Sequence, residues 1–182
     1  MKIVIAGGSG FVGQALTKLL SEEGHKLIIL TRSASKKERN ISYVQWLQAG
    51  AAPEKAIQSA DVFINLAGIS INAGRWNREH QQQIYDSRMT ATEELLRIIS
   101  TLETKPSVLI NASAIGIYPT SDDTVYTEDS IDFATDFLSK TVADWEKKAA
   151  QAQNDSVRTA FMRFGVILGK DAGALPPMIL PY

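Results

Sequence analysis

No cysteine occurs in the chain, and His25 and His80 are its only histidines. Disulfides and thiolate chemistry are therefore excluded, and two imidazoles cannot build a metal site by themselves, so no metal is expected. An excess of charge of either sign is also missing. The 19 Lys and Arg residues stand against 20 Asp and Glu, a formal net charge of -1. That balance gives no electrostatic footprint for nucleic acid or an anionic membrane, and neither is expected as a partner. The chain opens on a strand-like run rather than a charged flank and a long apolar segment, so neither a signal peptide nor a transmembrane span is expected, and the cytoplasm is the default location. What the chain does have is 182 residues that are 45% hydrophobic, enough to bury a core in one domain.

Glycine is concentrated near the start, in IAGGSGFVGQAL (5–16). Glycine loses the most conformational freedom on ordering, so this spacing points to places where a side chain does not fit. KIVIA before it reads as a buried parallel strand. FVGQALTKLLSEEG after it reads as a helix with Phe11, Val12, Ala15, Leu16, Leu19 and Leu20 at apolar positions. Strand, glycine turn and helix together form the setting of a dinucleotide-binding fingerprint, because the turn brings backbone amides at a helix N-terminus up to a pyrophosphate. Two templates fit: Gly8, Gly10 and Gly13 match G-x-G-x-x-G, and Gly7, Gly10 and Gly13 match G-x-x-G-x-x-G. The expected cofactor contacts here are Gly7, Gly8, Ser9, Gly10, Phe11, Val12 and Gly13, with Gly10 in a left-handed or close-approach role. The alternative is a tight strand-to-helix turn with a close contact at Gly13.

Strand-like and helix-like segments alternate onward. KLIILT (26–31), ISYVQW (41–46), DVFINLAG (61–68), PSVLINASA (106–114) and VRTAFMRFGVILG (157–169) read as strands. Helices are expected over PEKAIQSA (53–60), from a cap at Asn77 to about Ser100, and over FLSKTVADWEKKAAQA (137–152). This alternation predicts an α/β fold, a Rossmann-like doubly wound, mostly parallel sheet with helices on both faces. Ligands in such folds sit beyond the carboxyl ends of the strands.

The second strand is followed by Thr31, Arg32 and Ser33, and no carboxylate appears before Glu38. An acidic residue there accepts the ribose hydroxyls of NAD, whereas a guanidinium recognises a phosphate. NADP(H) is therefore the expected cofactor, with NAD(H) less favoured. SASKKER is otherwise a charged, solvated loop.

Taken together, GGSGFVG, LTRS, NLAG, NASAIGIYP and RFGVILG resemble the extended short-chain dehydrogenase/reductase superfamily, the NAD(P)-dependent epimerase/dehydratases. Within it, GRWN, YDSRMTATEELL, FLSKTVADWE and GALPPMIL resemble the YfcH-type epimerase family proteins, which are sugar-nucleotide epimerase-like. The resemblance runs from Lys2 to the last residue. It implies strand order 3-2-1-4-5-6, an NADP-binding domain over 1–170, and cofactor contacts from Thr31, Arg32 and Ser33 and from the turn Asn65, Leu66, Ala67 and Gly68. It also implies a C-terminal substrate region, of which 171–182 is only the start; the apolar LPPMILPY would otherwise lie uncovered. The oligomeric state is open, with a homodimer among the expectations.

The superfamily's Tyr-x-x-x-Lys pair is missing, since none of the five tyrosines has a lysine four residues later. Lys140 stands in the matching helix, but Asp136 takes the tyrosine position, and Ala114 takes the usual serine position with Ser113 beside it. An aspartate cannot donate a proton near pH 7 unless its pKa rises by several units. Asp136 is instead expected to hold Lys140 in an i,i+4 ion pair. Ser113, Tyr118 and Lys140 remain the catalytic candidates, with Asn111 or Asn65 shaping the strand ends. Arg75, beside Trp76, and Arg88 are the substrate-binding candidates. Arg88 has Asp86 or nearby Glu residues as alternative partners, and Arg163 is a candidate for an internal ion pair. The expected function is that of an NADP(H)-dependent epimerase/dehydratase-like oxidoreductase acting on a nucleotide-sugar-like or other carbonyl or hydroxyl substrate. A non-catalytic NADPH-binding sensor or scaffold is the alternative.

Overall fold

A computed structural model of the chain describes residues 1–170 and 172–179. Seven strands, β1 (Lys2–Ala6), β2 (Lys26–Thr31), β3 (Lys36–Glu38), β4 (Ile41–Gln45), β5 (Val62–Asn65), β6 (Val108–Ala114) and β7 (Arg158–Phe164), form one sheet in the order β3-β4-β2-β1-β5-β6-β7. Counted without β3, the parallel strands run 3-2-1-4-5-6. The addition is β3, which pairs antiparallel with β4 along the edge, Lys37 opposite Ser42. Its three residues are all exposed, so the only sequence signal was a run of charges. The last strand ends at Phe164 rather than continuing through Gly169.

The central strands are buried on both faces, which is why they read as unbroken apolar runs. Ile3, Ile5, Leu27 and Ile29 face one side and meet Leu16 and Leu20 of α1 (Phe11–Glu22). Val4, Ala6, Ile28, Leu30 and Phe63 face the other, against Ile57 of α2 (Pro53–Ile57), Leu95, Ile98 and Ile99 of α3 (Arg78–Thr101), and Ala149 at the end of α4 (Phe137–Ala149). Each large side chain so buried contributes about 1.5–3 kcal/mol. Asn77 opens α3 as expected, its side-chain oxygen accepting the His80 N–H at 2.8 Å. No helix among the described residues is long and apolar enough to cross a membrane.

Beyond β7 the Ala174 N–H donates to the Ile167 carbonyl at 2.9 Å, and a short helix, α5 (Leu175–Ile179), follows. The expected tail is thus partly a helical turn, with Met178 and Ile179 exposed. Asp171 and 180–182 lie outside the described residues.

Candidate functional site

The carboxyl ends of β1, β2 and β5 surround a cleft of about 750 Å³. Gly7 begins its floor. Its φ is +80°, and a Cβ there would lie 2.5 Å from the Leu66 carbonyl carbon and oxygen, so the β1 turn and the β5 turn touch through a position only glycine fits. The left-handed role expected at Gly10 therefore belongs to Gly7. Gly10 is the N-cap of α1 in extended backbone, φ -74°, where a Cβ would meet only the Gly7 carbonyl at 3.3 Å. Gly13 keeps α1 against the turn, since its Cβ would fall 2.7 Å from Gly8 Cα and closer still to the Gly7 carbonyl.

Among the described residues no side chain caps α1, and no acid stands in its first turn, so its positive end faces the cleft. Of the residues expected to contact a cofactor, Gly7, Ser9, Gly10, Thr31, Arg32, Ser33, Leu66, Ala67 and Gly68 line this cleft. Gly8 packs on Ile29 and Gly13 on the turn, while Phe11 turns its ring towards Gly169 and Gly173 beyond β7. Arg32 is exposed and makes no ion pair among the described residues; Thr31 Oγ1 accepts the Ser33 N–H at 3.1 Å and shapes the turn carrying it. The far wall comes from Trp46, Leu47 and Gln48 and from Gln83, Asp86, Ser87 and Thr90 of α3, none of which the sequence singled out for this cleft.

Asn65 does not line the cleft. It is fully buried, donates to Thr92 Oγ1 at 3.0 Å and to Asn111 Oδ1 at 2.7 Å, and accepts the Ala67 N–H at 3.2 Å. Trp145 also donates to Thr92, at 2.9 Å. This polar knot ties the turn after β5 to α3, α4 and β6. Arg88 braces the same turn from beneath: it donates to the Ile69 and Ile84 carbonyls at 3.1 and 2.9 Å, lies over the Trp145 ring, and leaves no room for a Cβ on Gly68 without pressing on its guanidinium. Burial pulls its pKa below the ordinary arginine value, and no carboxylate pairs with it among the described residues. Asp86 accepts from Gln82 instead, at 2.8 Å. Arg75 is exposed, and the neighbouring Trp76 packs edge-on against His80 and Phe137.

Ser113 and Tyr118 are joined by a chain of bonds that the sequence did not reveal. Ser113, buried at the end of β6, donates to Glu146 of α4; Arg163 of β7 grips that carboxylate with Nε and Nη2, both at 2.9 Å. The Arg163 Nη1 then donates to the Tyr118 hydroxyl, and that hydroxyl donates to the Thr127 carbonyl at 2.7 Å. Glu146 is the main reason the Arg163 guanidinium is held above its ordinary pKa. The internal pair suggested for Arg163 thus exists.

Lys140 is exposed, and its side chain takes no part in these bonds or in an ion pair among the described residues. The expected Asp136–Lys140 pair is replaced by a helix cap, because Asp136 accepts the Leu138 and Ser139 N–H groups at 2.8 and 3.1 Å. A carboxylate at the N-cap satisfies two amides that the helix cannot.

A family model described as the NAD dependent epimerase/dehydratase family matches residues 3–181. The chain is 50% identical to epimerase family protein YfhF of Bacillus subtilis over its whole length, and it spans 60% of that relative. Among solved structures, human epimerase family protein SDR39U1 (isoform 2) with NADPH superposes with a TM-score of 0.84 at 34% identity, covering 100% of this chain and 59% of the human one. A nucleoside-diphosphate sugar epimerase from Corynebacterium glutamicum matches with a TM-score of 0.78 and 31% identity, over 98% of this chain and 36% of that one.

Proposed function

Because the chain belongs to the NAD-dependent epimerase/dehydratase family, we propose that its cleft binds NADP(H) and that the protein, with a C-terminal substrate region following about residue 170, acts as an oxidoreductase or epimerase on a nucleotide-sugar-like or other carbonyl or hydroxyl substrate. Support for the dinucleotide comes from the cleft's own residues. The glycine turn, the uncapped end of α1 and the volume suit it, because cofactor pockets commonly enclose about 300–1,000 Å³. The observation that carries NADP(H) over NAD(H) is Arg32, exposed and without an ion pair among the described residues, at the rim where a carboxylate would repel a 2′-phosphate. The NADPH in the human SDR39U1 structure points the same way.

A bound nicotinamide would supply hydride chemistry. In this chain, Gly7, Gly10 and the α1 amides would hold the pyrophosphate, and Arg32 with Ser33 the ribose phosphate. Arg88 would keep the Gly68 turn against it, and Arg75 would be free to meet an anionic substrate. Ser113 and Tyr118 are the nearest analogues of the family's hydroxyl pair. Each already gives its proton to a protein acceptor, so either would have to break a bond worth about 1–3 kcal/mol before donating to substrate. That observation favours the second reading, an NADPH-binding sensor or scaffold, as far as the standard reaction is concerned.

Titrating NADPH and NADH against tryptophan fluorescence tests the cofactor, since Trp46 lies in the cleft wall. NADPH is expected to bind at least tenfold tighter, and Arg32→Asp to abolish that preference; equal affinities in the wild type refute it. Turnover of a panel of carbonyl compounds and nucleotide sugars by the full-length protein, lost in Lys140→Ala, would decide for the enzyme. Binding without turnover would decide for the sensor.

A further inference from the structure

A second groove, of about 580 Å³, lies at the opposite end of the sheet from the cofactor cleft, and its charge is one-sided. Lys2, Lys26, Lys37 and Arg39 line it together with Asn40, Ser42 and apolar side chains, and no carboxylate among the described residues does. The sheet register creates this grouping. Lys2 stands directly beside Lys26 on the neighbouring strand, and two residues along, on the same face, Ile28 is followed across the strands by Ser42 and Lys37. Like charges in adjacent cross-strand positions oppose one another, a cost a sheet normally avoids. Their effect is visible on Lys2, whose pKa is lowered by burial first and by Lys26 second.

Two carboxylates lie nearby. Glu38 pairs with Lys36 at 2.6 Å, and Asp61, which accepts the backbone N–H of Lys2 at 2.7 Å, partly offsets the positive charge at Lys2. Lys2 Nζ reaches only the Ile57 carbonyl, at 2.5 Å. Among the described residues, Lys26, Lys37 and Arg39 enter no ion pair. Arg39 is held in the left-handed region, φ +50°, in a turn fixed by Asn40, whose side chain donates to the Ser21 and His25 carbonyls at 3.1 and 2.7 Å and accepts from Ser21 Oγ at 2.9 Å. Strain of that kind in a non-glycine residue persists only where the surroundings fix it.

We infer that this groove is a binding site for a small multivalent phosphate anion of the pyrophosphate class, either free or as the end of a nucleotide. Strands lie about 4.8 Å apart, so Lys2, Lys26 and Lys37 span about 14 Å across the sheet, with Arg39 in the turn after β3, and the long flexible stems of Lys26, Lys37 and Arg39 can converge on linked phosphates between them. A concave, single-sign lining concentrates such an anion where scattered surface lysines would not. The length of β1, about 13 Å from Lys2 to Ala6, separates this anion from anything bound at Gly7.

Site-resolved amide shifts of the chain titrated with inorganic pyrophosphate, and separately with ADP, test the proposal. Shifts at Lys26, Ile28 and Ser42, weakened at least tenfold in Lys26→Gln/Lys37→Gln and within twofold of wild type in the equally charged control Lys18→Gln/Lys147→Gln, are expected. Equal groove affinity for the two probes marks the free anion, and tighter ADP marks a nucleotide end. Shifts confined to Gly7–Gly13 and Thr31–Ser33, or equal weakening in both double variants, would overturn it.

Discussion

Replacing Gly13 with alanine sets two effects of opposite sign against each other. Gly13 lies in the first turn of α1 with ordinary helical backbone, so alanine should gain about 0.5–1 kcal/mol from chain entropy alone. The added methyl, however, would lie 2.7 Å from Gly8 Cα and 2.9 Å from Gly8 carbonyl carbon, and closer to the Gly7 carbonyl. Those are backbone atoms, which cannot swing aside as a side-chain tip can. Gly7 in turn is locked against the Leu66 backbone, so relief requires α1 to retreat from the sheet. Overpacking in such a place costs about 1–3 kcal/mol and here should exceed the entropic gain. The net loss is then up to about 2.5 kcal/mol, and with a melting shift of about 2–4 °C per kcal/mol for a domain of this size, Gly13→Ala is expected to melt up to roughly 10 °C lower. Gly10→Ala is the matched comparison: its Cβ meets one atom at 3.3 Å, so its stability should stay within about 1 kcal/mol while NADPH affinity falls. Thermal denaturation followed by circular dichroism, with NADPH titration of both variants, reads the two effects separately. A Gly13→Ala protein as stable as the wild type would show that the turn is not packed as described.

Two further substitutions probe the links around the hydroxyl pair. Glu146→Gln removes the charge gripped by Arg163 and should cost up to about 3–5 kcal/mol in urea denaturation, since the guanidinium is left largely buried without its counter-charge; a loss below about 1 kcal/mol would show the pair to be dispensable. Asp136→Ala should cost about 1 kcal/mol through the lost cap, while Lys140→Ala should leave stability unchanged; equal losses would restore the ion pair. Asp136→Tyr is not expected to create ketone reduction or 4-epimerisation, because the neighbouring serine position is Ala114.

The parallel strands and the long helix from Asn77 were legible because each rests on a strong local signal, an unbroken apolar run or a cap before a 3.6-residue period, whereas the order of the strands came from the family resemblance. The edge strand β3 was not. Its three exposed, charged residues carry no hydrophobic pattern, and the strand exists because β4 offers an open edge for Lys36, Lys37 and Glu38 to pair with. The division of labour among the glycines was also hidden. Their spacing marked the turn, but which one is left-handed depends on Leu66, a residue more than fifty positions away that approaches only after β1 and β5 have paired.

The candidate catalytic region illustrates the same limit in chemical terms. Ser113, Tyr118, Glu146 and Arg163 come from four separate segments, and no spacing in the sequence connects them; the parallel pairing of β6 with β7, Ser113 beside Arg163, is what brings them together. Glu146 sits one residue after Trp145 on α4, in a stretch that reads as an amphipathic helix with a charged flank, yet it is turned inwards and only 9% exposed. An inward carboxylate needs a partner, and Arg163 meets that need with two bonds while reaching the Tyr118 hydroxyl with a third. As a consequence, the ionised carboxylate can only accept, so the Ser113 proton points at Glu146 and the serine can offer a substrate nothing but lone pairs. Any reaction at this site that requires Ser113 to donate must first displace it from Glu146, and the Glu146→Gln variant, whose side-chain amide can donate back to Ser113, frees that proton at the expense of stability.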